Sequence, residues 1–428
     1  MKTVIAALCI TVSVNVFAAT PRLIEHSDGI ARSYIVQMAE KSSSEGDVTR
    51  VAQQFHAQVR QRFTHALQGF SANMSPADAL AMSRDSRIKS VEQDRLMHTT
   101  AVQNVGTPTY HLDRIDQWCP ATGYCNLYDY QYSYFRTGAG VRLYVVDSGI
   151  NPTTEPMNIV NGYTAHYPNG VADYGDVLPH GTAVASLAGG ATNGVAKGVT
   201  IVNVKVYDQF TSNTSMANVV GGLDWVAADH RAHPTVPAVA NLSLAFYLAN
   251  NLGGYGAGEV SSFEQAVINT IDAGVVVVCG AGNVTTESYA GTRAEPVDDA
   301  CVRTPARLNG MLSIPGLSNP RNRTTITVGA TGYNDQPVQN GFDGVSWSSA
   351  TGPCVDLWAP GDQVGATGGP TAGSFSGTSA SSPIVAGVVA LYLEGRGANY
   401  DPNAVKAILM RNNSQSIRLV YSRVDLWQ

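Results

Sequence analysis

The hydrophobic pattern changes character near residue 100. Before it, "SYIVQM" (33–38) alternates with period two and predicts a strand. "GDVTRVAQQFHAQVRQRF" (46–63) sets Val48, Val51, Phe55, Val59 and Phe63 at helical spacing and predicts one helix. "ALQGFSANM" (66–74) predicts a second strand and "IKSVEQD" (88–94) a third. Between them "SPADALAMSRD" (75–85) predicts a short helix, with Ser75 as cap and Pro76 in the first turn. The order β-α-β-α-β predicts a small α+β (ferredoxin-like) unit.

After residue 100 the strands become wholly apolar. "VRLYVVDSG" (141–149), "IVNVKVYD" (201–208), "AVANLSLAF" (238–246), "GVVVVCGAG" (274–282) and "TTITVGAT" (324–331) alternate with helical stretches such as 181–190, 216–230 and 261–274. Strands without a polar face, separated by helices, predict an α/β fold: a parallel sheet with helices on both faces. Ligands of such sheets bind at the carboxyl ends of the strands, so chemistry is expected there.

Composition adds three constraints. With 44% hydrophobic and 14% charged residues among 428, the chain can bury a large core, and its net charge of −6 argues against a nucleic-acid partner. Residues 19–100 hold 10 Lys/Arg and 9 Asp/Glu, a denser charge than the remainder carries. The opening "MKTVIAALCITVSVNVFAAT" has Lys2, an apolar run and small residues, which predicts a signal peptide over 1–18 and a secreted, extracellular product. No other stretch is long enough to span a membrane, so no membrane partner is expected. Cys9 leaves with the signal, and in an exported chain disulfides are expected among Cys119, Cys125, Cys279, Cys301 and Cys354, with one left over. Cys279, inside an apolar strand, is expected as a buried free thiol.

Three places at strand ends and helix starts stand out. "VVDSGI" puts Asp147 at the end of a strand, "LPHGTAVASLAGG" puts His180 at a helix entry, and "SFSGTSASSPIVAG" puts Ser379 at another. A hydroxyl beside an imidazole, with a carboxylate to fix its tautomer, makes an activated nucleophile. Gly377 and Thr378 would turn the chain, and Pro383 would fall in the first turn of the helix, where its missing N–H is cheap.

With these motifs, and with "HLDRIDQ" (111–117), "TGAGVRLYVVDSGI" (137–150), "NLSLA", "GAGN" and "CVDLWAPG" (354–361), residues 101–428 resemble the subtilisin-type serine peptidases, nearest the proteinase K and aqualysin branch. The order Asp, His, Ser is the subtilisin order. Residues 33–97, through "SYIVQM", "ALQGFSANMSP" and "VEQD", resemble the inhibitory propeptide of that family. The resemblance implies a signal peptide (1–18), an inhibitory propeptide (19–100) and a subtilisin-like catalytic domain (101–428). It implies a monomeric endopeptidase, made as a zymogen and cut by itself within "MHTTAVQ" (97–103), acting on protein or peptide substrates with broad specificity. Its own propeptide would be its intramolecular inhibitor.

The family further implies residue roles. Ser379 is the nucleophile, His180 the base and then the acid, Asp147 the residue that orients His180, and Asn283 a side-chain donor to the oxyanion. Ser243, Leu244 and Ala245, with Ala281 and Gly282, would wall the pocket for the residue before the scissile bond. Peptides would add as a strand near 210–213 and 243–245. No cofactor is required for the chemistry; Asp356 matches a calcium-binding carboxylate, which implies structural calcium, with a plain surface or capping aspartate as the alternative. Cys301 and Cys354 match a family disulfide, and Cys119 and Cys125 in "WCPATGYC" imply a small closed loop. The chain departs from the family pattern at Pro179, Ala183, Ala380 and Ile384, at Ala245 and Phe246, and in two longer loops, 284–300 and 307–323.

Overall fold

The computed structural model describes residues 22–25, 29–39, 44–64, 67–95, 101–106, 109–116, 129–166, 168–207, 214–247, 261–287, 295–297, 299–310, 322–332, 344–369, 372–397 and 399–412. The expected signal peptide, the Cys119–Cys125 loop, the substrate edge at 210–213 and residues 311–321 lie outside them. The chain divides into two compact units, Met1–His98 and Thr99–Gln428.

In the first unit the strands are Leu23–Ile24 (β1), Gly29–Met38 (β2), Gln58–Phe63 (β3), Gly69–Asn73 (β4) and Ile88–Arg95 (β5), and the helices are Glu45–Gln54 (α1) and Pro76–Met82 (α2). The sheet order is β1-β5-β2-β4-β3, with β2 antiparallel to both β4 and β5. From β2 to β5 the order is β-α-β-β-α-β, the split ferredoxin-like arrangement. Ser75 caps α2 by accepting the Asp78 N–H at 3.1 Å, and Pro76 opens that helix. Tyr34, Val36, Phe70, Ala72 and Val91 from the sheet close a core with Val48, Val51, Ala79 and Met82 from the helices.

One element differs from the pattern reading. The helix expected over 46–63 ends at Gln54, and 58–63 is a strand paired with β4. Val59 and Phe63 are four residues apart. A step of four is even, so it satisfies a strand's period of two as well as a helical turn. His56, with φ of 50°, turns the chain between the two elements.

In the second unit seven strands form one sheet: Arg142–Asp147 (β6), Ile159–Thr164 (β7), Thr200–Lys205 (β8), Ala238–Leu242 (β9), Val276–Gly280 (β10), Ile326–Thr331 (β11) and Leu357–Pro360 (β12). Their order is β12-β11-β10-β9-β6-β8-β7 and every pairing is parallel. The helices around it include His180–Gly189 (α3), Met216–Ala232 (α4), Ser262–Asp272 (α5), Arg307–Gly310 (α6), Thr378–Leu393 (α7) and Pro402–Asn412 (α8). Leu143 and Val145 of β6 join a core with α3, α7 and α8, whereas Tyr144 and Val146 join another with α4 and α5. Both sheet faces are therefore covered, which is why the strands carry no polar side.

The chain enters this sheet at β6, goes out to the edge at β7, returns to β8 between them, then crosses to β9 on the other side of β6. The switch in direction opens a crevice at the carboxyl ends of β6 and β9. Helix α7 is apolar all round, with 15 of its 16 residues buried, as befits a helix running through a core. Cys301 is disulfide-bonded to Cys354 across a Cα separation of 5.3 Å, and Cys279 is a buried free thiol. Among the described residues no helix is long and apolar enough to cross a membrane.

Candidate active site

The switch point gathers the motif residues. Asp147 ends β6 and is 1% exposed, and its Oδ1 accepts from Nδ1 of His180 at 2.8 Å. The same oxygen accepts from the N–H of Ser148 at 2.7 Å and its hydroxyl at 3.1 Å. Asp147 Oδ2 is buried and has no hydrogen-bond partner among the described residues. With Nδ1 engaged, Nε2 is the basic nitrogen of a neutral His180.

A second carboxylate supports this pair. Asp176 is 9% exposed; its Oδ1 accepts from the Ser148 hydroxyl at 2.7 Å and the Leu178 N–H at 2.9 Å. Its Oδ2 accepts from the Thr182 N–H at 2.7 Å and the Thr182 hydroxyl at 2.5 Å. The turn that carries His180 is thus held at both ends, and Ser148 links the two carboxylates. Burial pulls the His180 pKa down, but the Asp147 charge, its hydrogen bond and the Asp176 charge outweigh it and hold the pKa above 6.5. The His180 and Phe375 rings also meet in a T-shaped contact, with centroids 5.2 Å apart.

Ser379 is the second residue of α7, so its N–H has no acceptor within the helix. Its hydroxyl donates to the carbonyl of Ser243 at 3.3 Å. Pro383 is the sixth helical residue, past the first turn expected for it. Without an N–H it leaves the Ser379 carbonyl unbonded in the helix, and the Ser243 hydroxyl donates to that carbonyl at 3.0 Å. Ser243 also meets the Ser382 hydroxyl at 2.9 Å. The end of β9 is thereby fastened to the start of α7.

Asn283 follows β10 and is half-buried. Its Oδ1 accepts from the Thr378 N–H at 2.9 Å and the Thr378 hydroxyl at 3.3 Å, which leaves Nδ2 to donate elsewhere. The Thr378 hydroxyl oxygen also accepts the Gly282 N–H at 3.1 Å, and Arg303 Nη2 donates to the Asn283 carbonyl at 2.6 Å. Gly377 has φ of 98°, and a Cβ there would lie 2.9 Å from Asn283 Oδ1. Only glycine lets the turn into α7 pass so close to the carboxamide.

The proposed pocket walls lie side by side, because Ser243–Ala245 and Ala281–Asn283 follow neighbouring strands. Ser243 and Leu244 are buried and Ala245 is exposed. Ala281 is wholly buried against Ala300, Ala306, Ala350 and Cys354, so it stands behind the wall rather than in it. Of the longer loops, Thr285–Glu287 pairs antiparallel with Glu295–Val297. A cavity of about 350 Å³ opens beside His180 between Ala183 and Phe375; a larger one of about 570 Å³, between α4 and α5, is lined by none of the candidate residues.

Asp356, expected as a calcium ligand, has a different environment. Its Oδ2 accepts from the Thr327 N–H at 2.9 Å, from Lys406 Nζ at 2.9 Å and from Nδ2 of Asn309. An oxygen saturated by three donors, one of them a cation, does not fit a metal ligand. Thr378, Asp176, Ser148, Arg303 and Pro383's replacement partner Ser243 Oγ were not identifiable as supports from sequence. The nearest signals were the adjacency of Ser148 to Asp147 and the place of Asp176 four residues before His180.

The subtilase family model matches residues 138–423, and the peptidase inhibitor I9 model matches residues 33–100. The extracellular serine proteinase of Thermus sp. (strain Rt41A) is 36% identical over 344 residues, covering 79% of this chain and 69% of that protein. The alkaline serine exoprotease A of Vibrio alginolyticus is 33% identical over 417 residues, covering 92% of this chain and 66% of that protein. A crystal structure of a cold adapted subtilisin-like serine proteinase superposes with a TM-score of 0.54 at 30% identity, covering 75% of this chain and 99% of its own. This chain belongs to the subtilase family: it is a subtilisin-like serine endopeptidase preceded by an I9 inhibitor domain.

Proposed function

We propose that the protein is an extracellular endopeptidase, made as a self-processed zymogen, whose nucleophile is Ser379. The observation that carries this is the Asp147–His180 hydrogen bond of 2.8 Å at the switch point beside the start of α7. The Ser379 hydroxyl leaves the Ser243 carbonyl for Nε2 of His180, gives up its proton there, and attacks the carbonyl carbon of the substrate. The oxyanion that forms takes hydrogen bonds from Nδ2 of Asn283 and the free N–H of Ser379. Collapse breaks the C–N bond, and the departing amine takes the proton from His180. Water then repeats the sequence and releases the acyl group, restoring Ser379.

Residues 1–18 are read as a leader removed on export, 19–100 as the inhibitor and 101–428 as the enzyme. Substrate backbone pairing along 243–245 favours broad specificity, because such bonds are blind to side chains.

Two outcomes test this reading. Asn283→Leu removes one oxyanion donor and is expected to lower kcat by roughly 10²–10³-fold with little change in KM. A parallel rise in KM, or an unchanged kcat, contradicts the assignment. The second is pH dependence. Nε2 must be unprotonated to accept the proton, so activity is full above the raised pKa of His180 and is lost as pH falls through it. The acid limb of kcat/KM should therefore have its midpoint above 6.5, and Asp176→Asn should move it down. A wild-type midpoint below 6.5 contradicts the electrostatic account.

A further inference from the structure

Asp356 lies just before β12 and Thr325 just before β11, at the amino ends of strands whose opposite ends face the catalytic crevice. Around them is a small cage of oxygen atoms. Lys406 Nζ, from α8, meets Asp356 Oδ2 at 2.9 Å, the Thr325 carbonyl at 2.8 Å, the Thr324 hydroxyl at 3.2 Å and Oδ1 of Asn309 in α6. The side chains are largely withdrawn from water, 15% exposed for Lys406 and 11% for Asp356.

A carboxylate, a backbone carbonyl, an amide oxygen and a hydroxyl, drawn from three segments of the chain, form the kind of donor set a hard cation takes. Here the positive charge comes from the chain itself. An ammonium has three N–H donors and no acceptor, so four oxygens use all of its capacity. A divalent ion entering the cage would have to displace a like charge and take Asp356 Oδ2 from its three donors. We propose that the Lys406 ammonium is the resident cation of this site, standing where the family resemblance implied calcium. It clamps α8 and α6 to the entry of the sheet. The carboxylate and its companion oxygens bind calcium only when the ammonium is removed.

The test is thermal unfolding of the mature protein, with a serine-peptidase inhibitor present to stop autolysis, in chelator and in calcium chloride. Any calcium effect in the wild type arises at another site, so Asp356→Asn should leave the wild-type calcium-induced shift in Tm unchanged. Lys406→Met strands a buried carboxylate, and Tm in chelator should fall by about 5–10 °C. Calcium should then raise the Tm of Lys406→Met by more than it raises the wild type's. The double variant Lys406→Met/Asp356→Asn should lose that extra shift. Loss of the wild-type calcium shift in Asp356→Asn overturns the proposal, because it places a metal on Asp356. So does a Lys406→Met protein with the calcium response of the wild type. Should Lys406→Met not fold, the Asp356→Asn comparison alone still decides whether wild-type Asp356 holds a metal.

Discussion

Replacing Ser379 with alanine is expected to lower peptide hydrolysis by roughly 10⁶-fold and to leave the precursor uncut, since alanine has no hydroxyl to attack the substrate carbonyl. The fold should survive. Ser379 is only partly buried, and its hydroxyl makes one long bond, 3.3 Å to the Ser243 carbonyl. The bonds that fasten β9 to α7 run through the Ser243 hydroxyl, the Ser379 carbonyl and Ser382, and they remain. The variant should therefore show a circular dichroism spectrum like the wild type's, while gels show a precursor still carrying the inhibitor unit. Processing at the wild-type rate would mean that another protease, not this chain, makes the cut.

The second large effect is expected from Asp147→Asn, a near-isosteric change costing roughly 10⁴-fold in kcat. Asp147 Oδ1 now accepts from Nδ1 of His180, which keeps the proton off Nε2. An amide can donate to Nδ1 instead, and the imidazole then carries its hydrogen on Nε2, where it cannot accept from Ser379. The imidazolium formed during attack also loses the nearest negative charge. The precursor should be cut by added wild-type enzyme, so that the variant is assayed in its mature form. A loss smaller than tenfold would show that Asp147 does not set the tautomer.

Much of the fold is legible in the sequence because burial on both faces leaves a plain mark. "YVVD", "VVVVC" and "ITVGA" have no polar side to hide, and runs like these can only be central parallel strands or buried helices. The ends of those runs are also legible, which is why Asp147 and Asn283 stand out. The ambiguous segment was 58–63, where Val59 and Phe63 satisfy two periodicities at once. What decides it is the pairing with β4, from Phe63 opposite Gly69 to Gln58 opposite Asn73, which no local period reveals.

The supports of the site were harder to read for a related reason. Asp176 looks like any loop aspartate until the turn to His180 folds back and sets it against Ser148 and Thr182. Pro383 looks like a first-turn proline because it lies four residues past Ser379 at the helix entry, yet it is the sixth residue of α7. Its consequence, a carbonyl freed for Ser243, depends on a strand 136 residues away. Asp356 is marked in the sequence by its motif alone. The lysine that answers it is 50 positions further along, on a helix whose docking no local pattern reveals.

The central claim is that Ser379 is made nucleophilic by His180 and Asp147. Its most direct measurement is mass spectrometry of the mature wild-type protein after treatment with phenylmethylsulfonyl fluoride, followed by peptide mapping. The account predicts one sulfonyl adduct per molecule, located on Ser379, with activity lost in proportion, and no adduct on native Asp147→Asn protein over the same interval. An adduct on another residue, or full activity in protein modified at Ser379, would contradict it.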